Sequence, residues 1–423
     1  MTESLIVILG DERVGEVHRL QGGRLRFEYD DGYRAKATAT PLSVSMPLQT
    51  PSYGDGQIRP WLWGLLPDND AVLARWARQF QVSASSPFSL LGTPVGRDCA
   101  GAVRFAQPEE EEAALSRPGR VTWLTDAEVA QRLRDLREDS TSWLGPGFSG
   151  QFSLGGAQTK TALQRSGDRW GAPAGAEPTT HILKPAIEGF EEHDLNEHLC
   201  MDAARRAGLP AAQTEVHRFE DESAVVVRRY DRQPSGSAIW RQHQEDVCQA
   251  LSLPPARKYQ NEGGPGVREV TALLRKVMPP DAADQAIRSF ADALIWNWLI
   301  AGTDAHAKNY SLLIGGNDVR LAPLYDISSA LPYDTHERKL RFAMKYGGEY
   351  TVLARNVWPR TARDLDIPPA ELLDRVRTLA LRAPDAFADA AKTENVTRLA
   401  SGLPSRLADL VADRCSECLA VVS

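Results

Sequence analysis

The segment Ala301-Gly-Thr-Asp304-Ala-His306-Ala-Lys308-Asn309-Tyr310 constrains the fold more tightly than any other stretch of this 423-residue chain. It follows an apolar helical run, Phe290–Ile300, and precedes a β-like run, Ser311–Ile314. Gly315-Gly-Asn-Asp318 supplies a tight turn, after which Val319–Leu324 returns and ends at Tyr325-Asp326. In an antiparallel hairpin the residue before the first strand lies close to the residue after the second. Asn309 and Asp326 are therefore expected side by side. An amide oxygen beside a carboxylate is a hard-oxygen site suited to Mg²⁺ carrying nucleotide phosphates.

Asp304 precedes Asn309 by the same offset as in the protein-kinase loop H-R-D-x-x-x-x-N. In that arrangement Asp304 orients an acceptor hydroxyl and takes its proton, while His306 and Lys308 lie near the phosphates. Such chemistry also needs a phosphate-covering loop. Phe148-Ser-Gly150-Gln-Phe-Ser153-Leu-Gly155-Gly156-Ala157-Gln158-Thr159-Lys160-Thr161 is rich in small residues whose backbone N–H groups can approach phosphates. It is not a Walker A motif, and Thr161–Arg165 leads quickly to Ser166-Gly-Asp, which favours strand–loop–strand. Lys184 ends the strand-like run Thr180-His-Ile-Leu-Lys184-Pro185, with Glu197 on the next helix as its expected ion-pair partner. Taken singly, each feature also has a structural reading: a capped turn, a surface hairpin, a surface lysine. Metal hydrolysis is disfavoured, because Glu192-His193-Asp-Leu-Asn-Glu197-His198 contains neither H-E-x-x-H nor its inverse.

Along the chain, Leu5–Leu9, Gly15–Leu20 and Arg24–Tyr29 read as a β-meander, and Trp61–Phe80 as helices. Glu109–Glu112 with Arg117-Pro-Gly-Arg120 reads as a charged connector. Thr125–Arg137 and Leu195–Ala207 read as helices, and Val216–Phe219 with Ala224–Arg229 as a hairpin. Beyond Ser235 the pattern is mainly helical, interrupted by Ser311–Leu324. The net charge of −7 argues against a chain-wide nucleic-acid footprint. Five scattered cysteines, Cys415-x-x-Cys418 among them, fit a reducing compartment. No stretch is long and apolar enough to span a bilayer, so a soluble, cytoplasmic protein without membrane contact is expected.

Taken together these residues resemble the HipA family, the toxin kinases of bacterial type II toxin–antitoxin pairs. The resemblance runs through nearly the whole chain: Arg13-Val-Gly-Glu16, Pro41–Leu48, Leu65-Leu-Pro-Asp68, Gly96-Arg-Asp98, Gly156-Ala-Gln158, Lys160-Thr-Ala162 and Thr179–Lys184. It continues in Gln244-Glu-Asp246, Lys258-Tyr259, Gly263-Gly-Pro-Gly266, Thr303–Asn309 and Tyr325-Asp-Ile327.

The resemblance implies an α+β, two-lobed kinase-like fold with an extra N-terminal subdomain (1–106), the remainder of a β-rich N-lobe (107–235) and an all-helical C-lobe (236–423). It implies ATP and Mg²⁺ as cofactors and Ser/Thr phosphorylation of a cytosolic protein. Asp304 would be the base, with Asn309 and Asp326 on the metal. Lys184 would contact phosphates, and the loop Gly155, Gly156, Ala157, Gln158 and Lys160 would cover them. Arg228, Tyr230 and Asp231 would line the adenine connector, with His306, Lys308 and Tyr325 also at the nucleotide. Arg228 stands where the family often has Glu. Ser153 falls at the family's autophosphorylated loop serine, where phosphorylation would expel the loop and silence the enzyme. Implied partners are a HipB-like helix-turn-helix antitoxin, operator DNA mainly through it, and a translation component such as an aminoacyl-tRNA synthetase or elongation factor as substrate. Two other readings stay open: an ATP-binding regulatory corepressor with little catalysis, and a small-molecule or lipid kinase.

Overall fold

The computed structural model describes residues 3–116, 119–236, 238–316, 318–333, 340–351 and 356–422. Arg117 and Pro118 of the expected connector, and Asn317 of the expected turn, lie outside them. The meander forms as its turn signals require: β1 (Glu3–Leu9), β2 (Glu12–Arg19) and β3 (Leu25–Tyr29) are antiparallel neighbours. With β4 (Ser52–Tyr53) and β5 (Val103–Ala106) they give a five-stranded sheet of order β4-β3-β2-β1-β5. The helices Asp55–Gly64 and Asp70–Phe80 follow, and the Asn69 side chain caps the second by accepting from the amides of Ala71 and Val72. The expected connector is more ordered than its composition suggests. Glu111–Ser116 is a short helix, tied to β2 by the Arg13–Glu111 ion pair at 2.8 Å.

A second, six-stranded sheet is built from β6 (Arg120–Leu124), β7 (Thr161–Ser166), β8 (Arg169–Ala174), β9 (His181–Lys184), β10 (Thr214–Phe219) and β11 (Glu222–Arg228), in the order β10-β11-β9-β7-β8-β6. The β10–β11 hairpin forms as expected. The small-residue loop leads into strand β7 and not into a helix, but helix Asp126–Glu138 precedes it, so the strand–loop–strand expectation holds only on its far side. Helix Asp126–Glu138 starts at Thr125 with a capping box to Glu128. A single apolar core runs through both sheets, from Leu5, Phe27, Trp61 and Trp76 to Leu133, Phe152, Leu163 and Val226.

The second half is helical with β insertions that modify the all-helical expectation. After the ribbon β12 (Arg232–Ser235) and β13 (Ala238–Arg241), β14 (His243–Asp246), β15 (Ser311–Gly315) and β16 (Asp318–Leu321) form an antiparallel sheet. A further ribbon joins β17 (Arg341–Tyr346) and β18 (Glu349–Thr351). His-Gln-Glu-Asp carries no apolar signal, so β14 exists because β15 offers it a partner. Helix Pro280–Leu299 buries Trp296, Trp298 and Leu299 completely and delivers the chain to Ala301, whose φ of 51° ends it. The long helices Pro369–Ala391 and Leu403–Val422 complete this core, and the latter buries both Cys415 and Cys418 in it. Among the described residues no helix is long and apolar enough to cross a membrane.

Where the first sheet meets the connector after β11, charge is buried. Asp98 accepts from Arg232 at 2.8 Å, Arg229 at 3.3 Å, and both the amide (3.0 Å) and hydroxyl (2.7 Å) of Thr179. Asp231 accepts from Arg229 at 2.7 Å and Arg232 at 2.9 Å. Burial opposes ionisation of Asp98, but Arg232, Arg229 and Arg241 outweigh it and hold the carboxyl far below the usual range. Its contribution to stability is therefore present above its unfolded-state value of about 4 and is lost as pH falls through the depressed folded value. Asp98→Asn should cost about 3–5 kcal/mol at neutral pH, because it strands buried guanidinium groups. Urea unfolding should show the gap to wild type narrowing as the buffer is acidified below about pH 4.

Candidate active site

The site is organised by the strand end at Lys184. Alternation along β9 turns Leu183 into the core and leaves the buried Lys184 ammonium at the mouth of a cavity of about 630 Å³. Nζ donates to Glu197 at 2.8 Å, on helix His193–Arg206, and to Asp326 at 2.6 Å. The expected Lys184–Glu197 pair therefore forms, and Asp326 joins it. Burial works against the charge on Lys184, yet Asp326 and Glu197 outweigh it and raise its pKa. Burial likewise opposes ionisation of Asp326, and Lys184 and Lys160 overcome it, lowering its pKa. Glu197 is pushed up by burial. Asp326 has φ of 59°, a left-handed conformation that Asp tolerates better than most residues, and its side chain is 38% exposed.

The hairpin brings Asn309 and Asp326 together, as expected. Asn309 Nδ2 donates to the Asp304 carbonyl at 3.1 Å and reaches the Asp326 carbonyl at 3.5 Å. Among the described residues no hydrogen bond claims Asn309 Oδ1 or the second carboxylate oxygen of Asp326. These open oxygens are a donor set that fits Mg²⁺, which takes one or two protein oxygens and fills its shell from phosphate and water. Among the described residues no trio of His, Cys, Asp or Glu could hold a metal unaided. Asp304 is exposed to the cavity and accepts from the Tyr259 hydroxyl at 2.7 Å. His306 packs edge-on to Tyr259, and burial lowers its pKa, so it enters as a neutral ring rather than a standing charge. Lys308 is held by Asp246 at 2.8 Å and the Gly64 carbonyl at 3.2 Å, beneath Gly155.

The small-residue loop is folded into the cavity. Gly156, at φ of 96°, accepts through its carbonyl from the Asp68 amide at 3.0 Å. Lys160 donates to the Gly155 carbonyl at 2.7 Å and lies over the Trp143 ring, and burial lowers its pKa to about 8. Gly155, Gly156, Ala157, Gln158 and Lys160 all line the cavity. Ser153 does not: it is fully buried, its hydroxyl donating to the Leu65 carbonyl at 2.8 Å and its amide to Asp98 at 2.9 Å.

The connector differs from its expected role at the side-chain level. Arg228, Tyr230 and Asp231 line the cavity, but the Arg228 guanidinium bonds Gln213 at 3.1 Å. The Asp231 carboxylate is consumed by Arg229, Arg232 and the Gly101 amide at 2.8 Å. Any contact Asp231 makes to a ligand therefore falls to its backbone, while the exposed Arg228 guanidinium keeps donors beyond the one that Gln213 accepts. Tyr230 bonds Gln244 through its hydroxyl, and Tyr325 packs near it and bonds Ser311 at 2.7 Å.

The model of the HipA-like C-terminal domain matches residues 152–387, and that of the HipA N-terminal domain matches residues 5–106. The chain belongs to the HipA family. It is 32% identical to the Sinorhizobium fredii protein Y4mE over 98% of both chains. It is 29% identical to the serine/threonine-protein kinase toxin HipA of Shewanella oneidensis, over 82% of this chain and 80% of that one. The fold superimposes with a TM-score of 0.83 on a structure of Shewanella oneidensis HipA with HipB and operator DNA, at 25% identity, covering 99% of this chain and 98% of the other. The two-lobed HipA architecture is thus the fold of this chain.

Three segments that carried the HipA resemblance without a role now have one. Asp68, Asp246 and the pair Lys258-Tyr259 all line or brace the site. The sequence signal for Asp68 and Lys258-Tyr259 was a charged residue in a Pro- or Gly-punctuated loop, and for Asp246 an acid closing a polar run, and neither says anything about distant partners. Glu197→Ala would leave Lys184 with Asp326 alone in a buried site, at a cost of about 3 kcal/mol in urea unfolding. Glu197→Gln, which keeps an acceptor, should cost less than half of that.

Proposed function

We propose that this chain is an ATP- and Mg²⁺-dependent serine/threonine-protein kinase acting as the toxin of a type II toxin–antitoxin pair. The observation that carries the reading is Lys184 bridging Glu197 and Asp326 at 2.8 and 2.6 Å, within one cavity with Asp304 and Asn309. A purely structural role requires no such convergence of a buried ammonium, an exposed carboxylate and open oxygen donors. The similarity to the serine/threonine-protein kinase toxin HipA of Shewanella oneidensis supports the same reading.

In this mechanism Lys184 gives up part of its hold on Asp326 to nucleotide phosphate, and Glu197 keeps the ammonium in place. Asn309 and Asp326 supply the protein oxygens for Mg²⁺, which when bound would neutralise charge developing on the phosphates. Asp304 orients a serine or threonine hydroxyl and accepts its proton as the oxygen attacks the γ-phosphorus and the bond to the β-phosphate oxygen breaks. Amides of Gly155–Gln158 face the phosphates, and the backbone of Arg228–Tyr230 receives adenine. The acceptor is a translation component of the aminoacyl-tRNA synthetase or elongation-factor type. The partner is a HipB-like antitoxin through which the complex reaches operator DNA, as the related Shewanella oneidensis assembly of HipA, HipB and operator DNA suggests. The working division is 1–106, 107–235 and 236–423, and the compartment is the cytoplasm.

Ser153 is the autophosphorylation site in this reading, and its burial gives the modification a mechanical consequence. Its hydroxyl cannot receive phosphate in place, so the loop must first leave Leu65. A phosphoryl group of roughly −1.5 to −2 charge then has no way back into an apolar, fully buried position. Incubation with Mg-ATP should add phosphate to Ser153 in wild type and none in Asp304→Ala, read by intact-mass and peptide mass spectrometry. Ser153→Ala should stay active while wild type declines. No phosphate on wild type or on any added protein, with Mg-ATP bound, would overturn the kinase reading in favour of a regulatory subunit.

A further inference from the structure

Helix Asp55–Gly64 of the first sheet's layer ends in the cavity wall, and the turn Gly64-Leu-Leu-Pro-Asp68 that follows carries a carboxylate against two lysines of that wall, Lys258 and Lys308. Asp68 is 9% exposed, and its Oδ2 accepts from Lys258 Nζ at 3.1 Å. Its Oδ1 is buried, has no hydrogen-bond partner among the described residues and lies 3.8 Å from Lys308 Nζ. Leaving a buried carboxylate oxygen unpaired is costly unless surrounding charge compensates it, and here two ammonium groups do.

Lys258 ties this carboxylate to the catalytic loop. Its own carbonyl accepts from the Ala307 amide at 3.2 Å. The next residue, Tyr259, donates its hydroxyl to Asp304 Oδ1 at 2.7 Å and packs against His306. The segment is wound too tightly to adjust by itself: Tyr259 accepts from the Gly264 amide at 2.9 Å, and a Cβ on Gly264 would meet the Arg257 carbonyl at 2.3 Å. The placement of the Tyr259 hydroxyl therefore follows the placement of Lys258.

We propose that Asp68 is a positioning residue for phosphoryl transfer, holding Lys258 so that Tyr259 fixes Asp304 in the rotamer that faces the acceptor hydroxyl. This rests on Asp304 acting as the base. It makes the N-terminal part of the chain, 190 residues away from Lys258 in sequence, a working component of the site. Asp68 touches neither nucleotide nor acceptor in this role, so its loss should appear in turnover and not in ATP affinity.

The test measures initial rates of phosphate incorporation into the chain at varied Mg-ATP for wild type, Asp68→Asn, Tyr259→Phe and the double variant. Mg-ADP calorimetry and thermal unfolding accompany it. Each single variant should lower kcat about tenfold, with KM for ATP and the Mg-ADP Kd within about twofold of wild type. The double variant should fall no further than about twentyfold, where independent effects would multiply to about a hundredfold. Asp68→Glu, which keeps the charge, should recover part of the rate. Wild-type turnover in Asp68→Asn, a loss carried by ATP affinity, or a multiplicative double variant would each overturn the positioning role while leaving the kinase reading intact. A wild-type chain that transfers no phosphate would remove the kinase reading and this inference with it. Should Asp68→Asn fail to fold, Lys258→Met breaks the same link from the other side and is read by the same criteria.

Discussion

A single ammonium group joins the parts of this molecule that must meet for chemistry. Lys184 comes from the end of a central strand, Glu197 from the helix packed on the neighbouring strands, and Asp326 from the far side of the hairpin that follows Asn309. Taking three charges out of water is expensive, and the net contribution of such a cluster to stability is small or negative. Its value is geometric. The left-handed backbone at Asp326, the hairpin that returns to it, and the loop that Asn309 ties back at 3.1 Å are useful only while that carboxylate points at Lys184.

The first sheet and its helices are wall as well as scaffold. Leu65, Asp68 and Asp98 hold the small-residue loop at Ser153 and Gly156 through main-chain groups, while Gly64 and Asp68 reach Lys308. The same layer grips the second half through Glu245, which burial pushes up to about 8 and which accepts from the Val44 amide at 2.8 Å and the Trp61 indole at 3.1 Å. Position of the loop and seating of this layer are thus one mechanical problem.

What could be read from sequence was what is local. The hairpin that joins Asn309 to Asp326 follows from an apolar helix, a polar loop and a Gly-rich turn in immediate succession. Lys184 and Glu197 are separated by little more than a strand end and a turn, so their pairing was legible too. Asp68 and Asp246 were visible as part of a family pattern but carried no assignable role, since the pairs they form with Lys258 and Lys308 span 190 and 62 residues. Asp231 was read as a ligand-side group because Arg228-Arg-Tyr-Asp231 resembles the HipA family's adenine connector. Its partners, Gly101 and the nearby arginines, come together only when the first sheet docks. The strand His243–Asp246 and the burial of Ser153 were hidden for the same reason: a neighbour remote in sequence decides both.

The continuity of the first core across both sheets also has a temporal side. Phe27 and Val226 belong to one apolar cluster, yet 199 positions separate them along the chain. At about 5–20 residues per second of synthesis, that gap lasts roughly 10–40 s. Through that interval the first sheet stands outside the ribosome with its inner face only partly covered, and the loop from Asp304 to Asn309 has still to be made. A nascent copy is therefore sticky before its site exists, and its yield in a cell depends on whatever shields that face until the second sheet arrives.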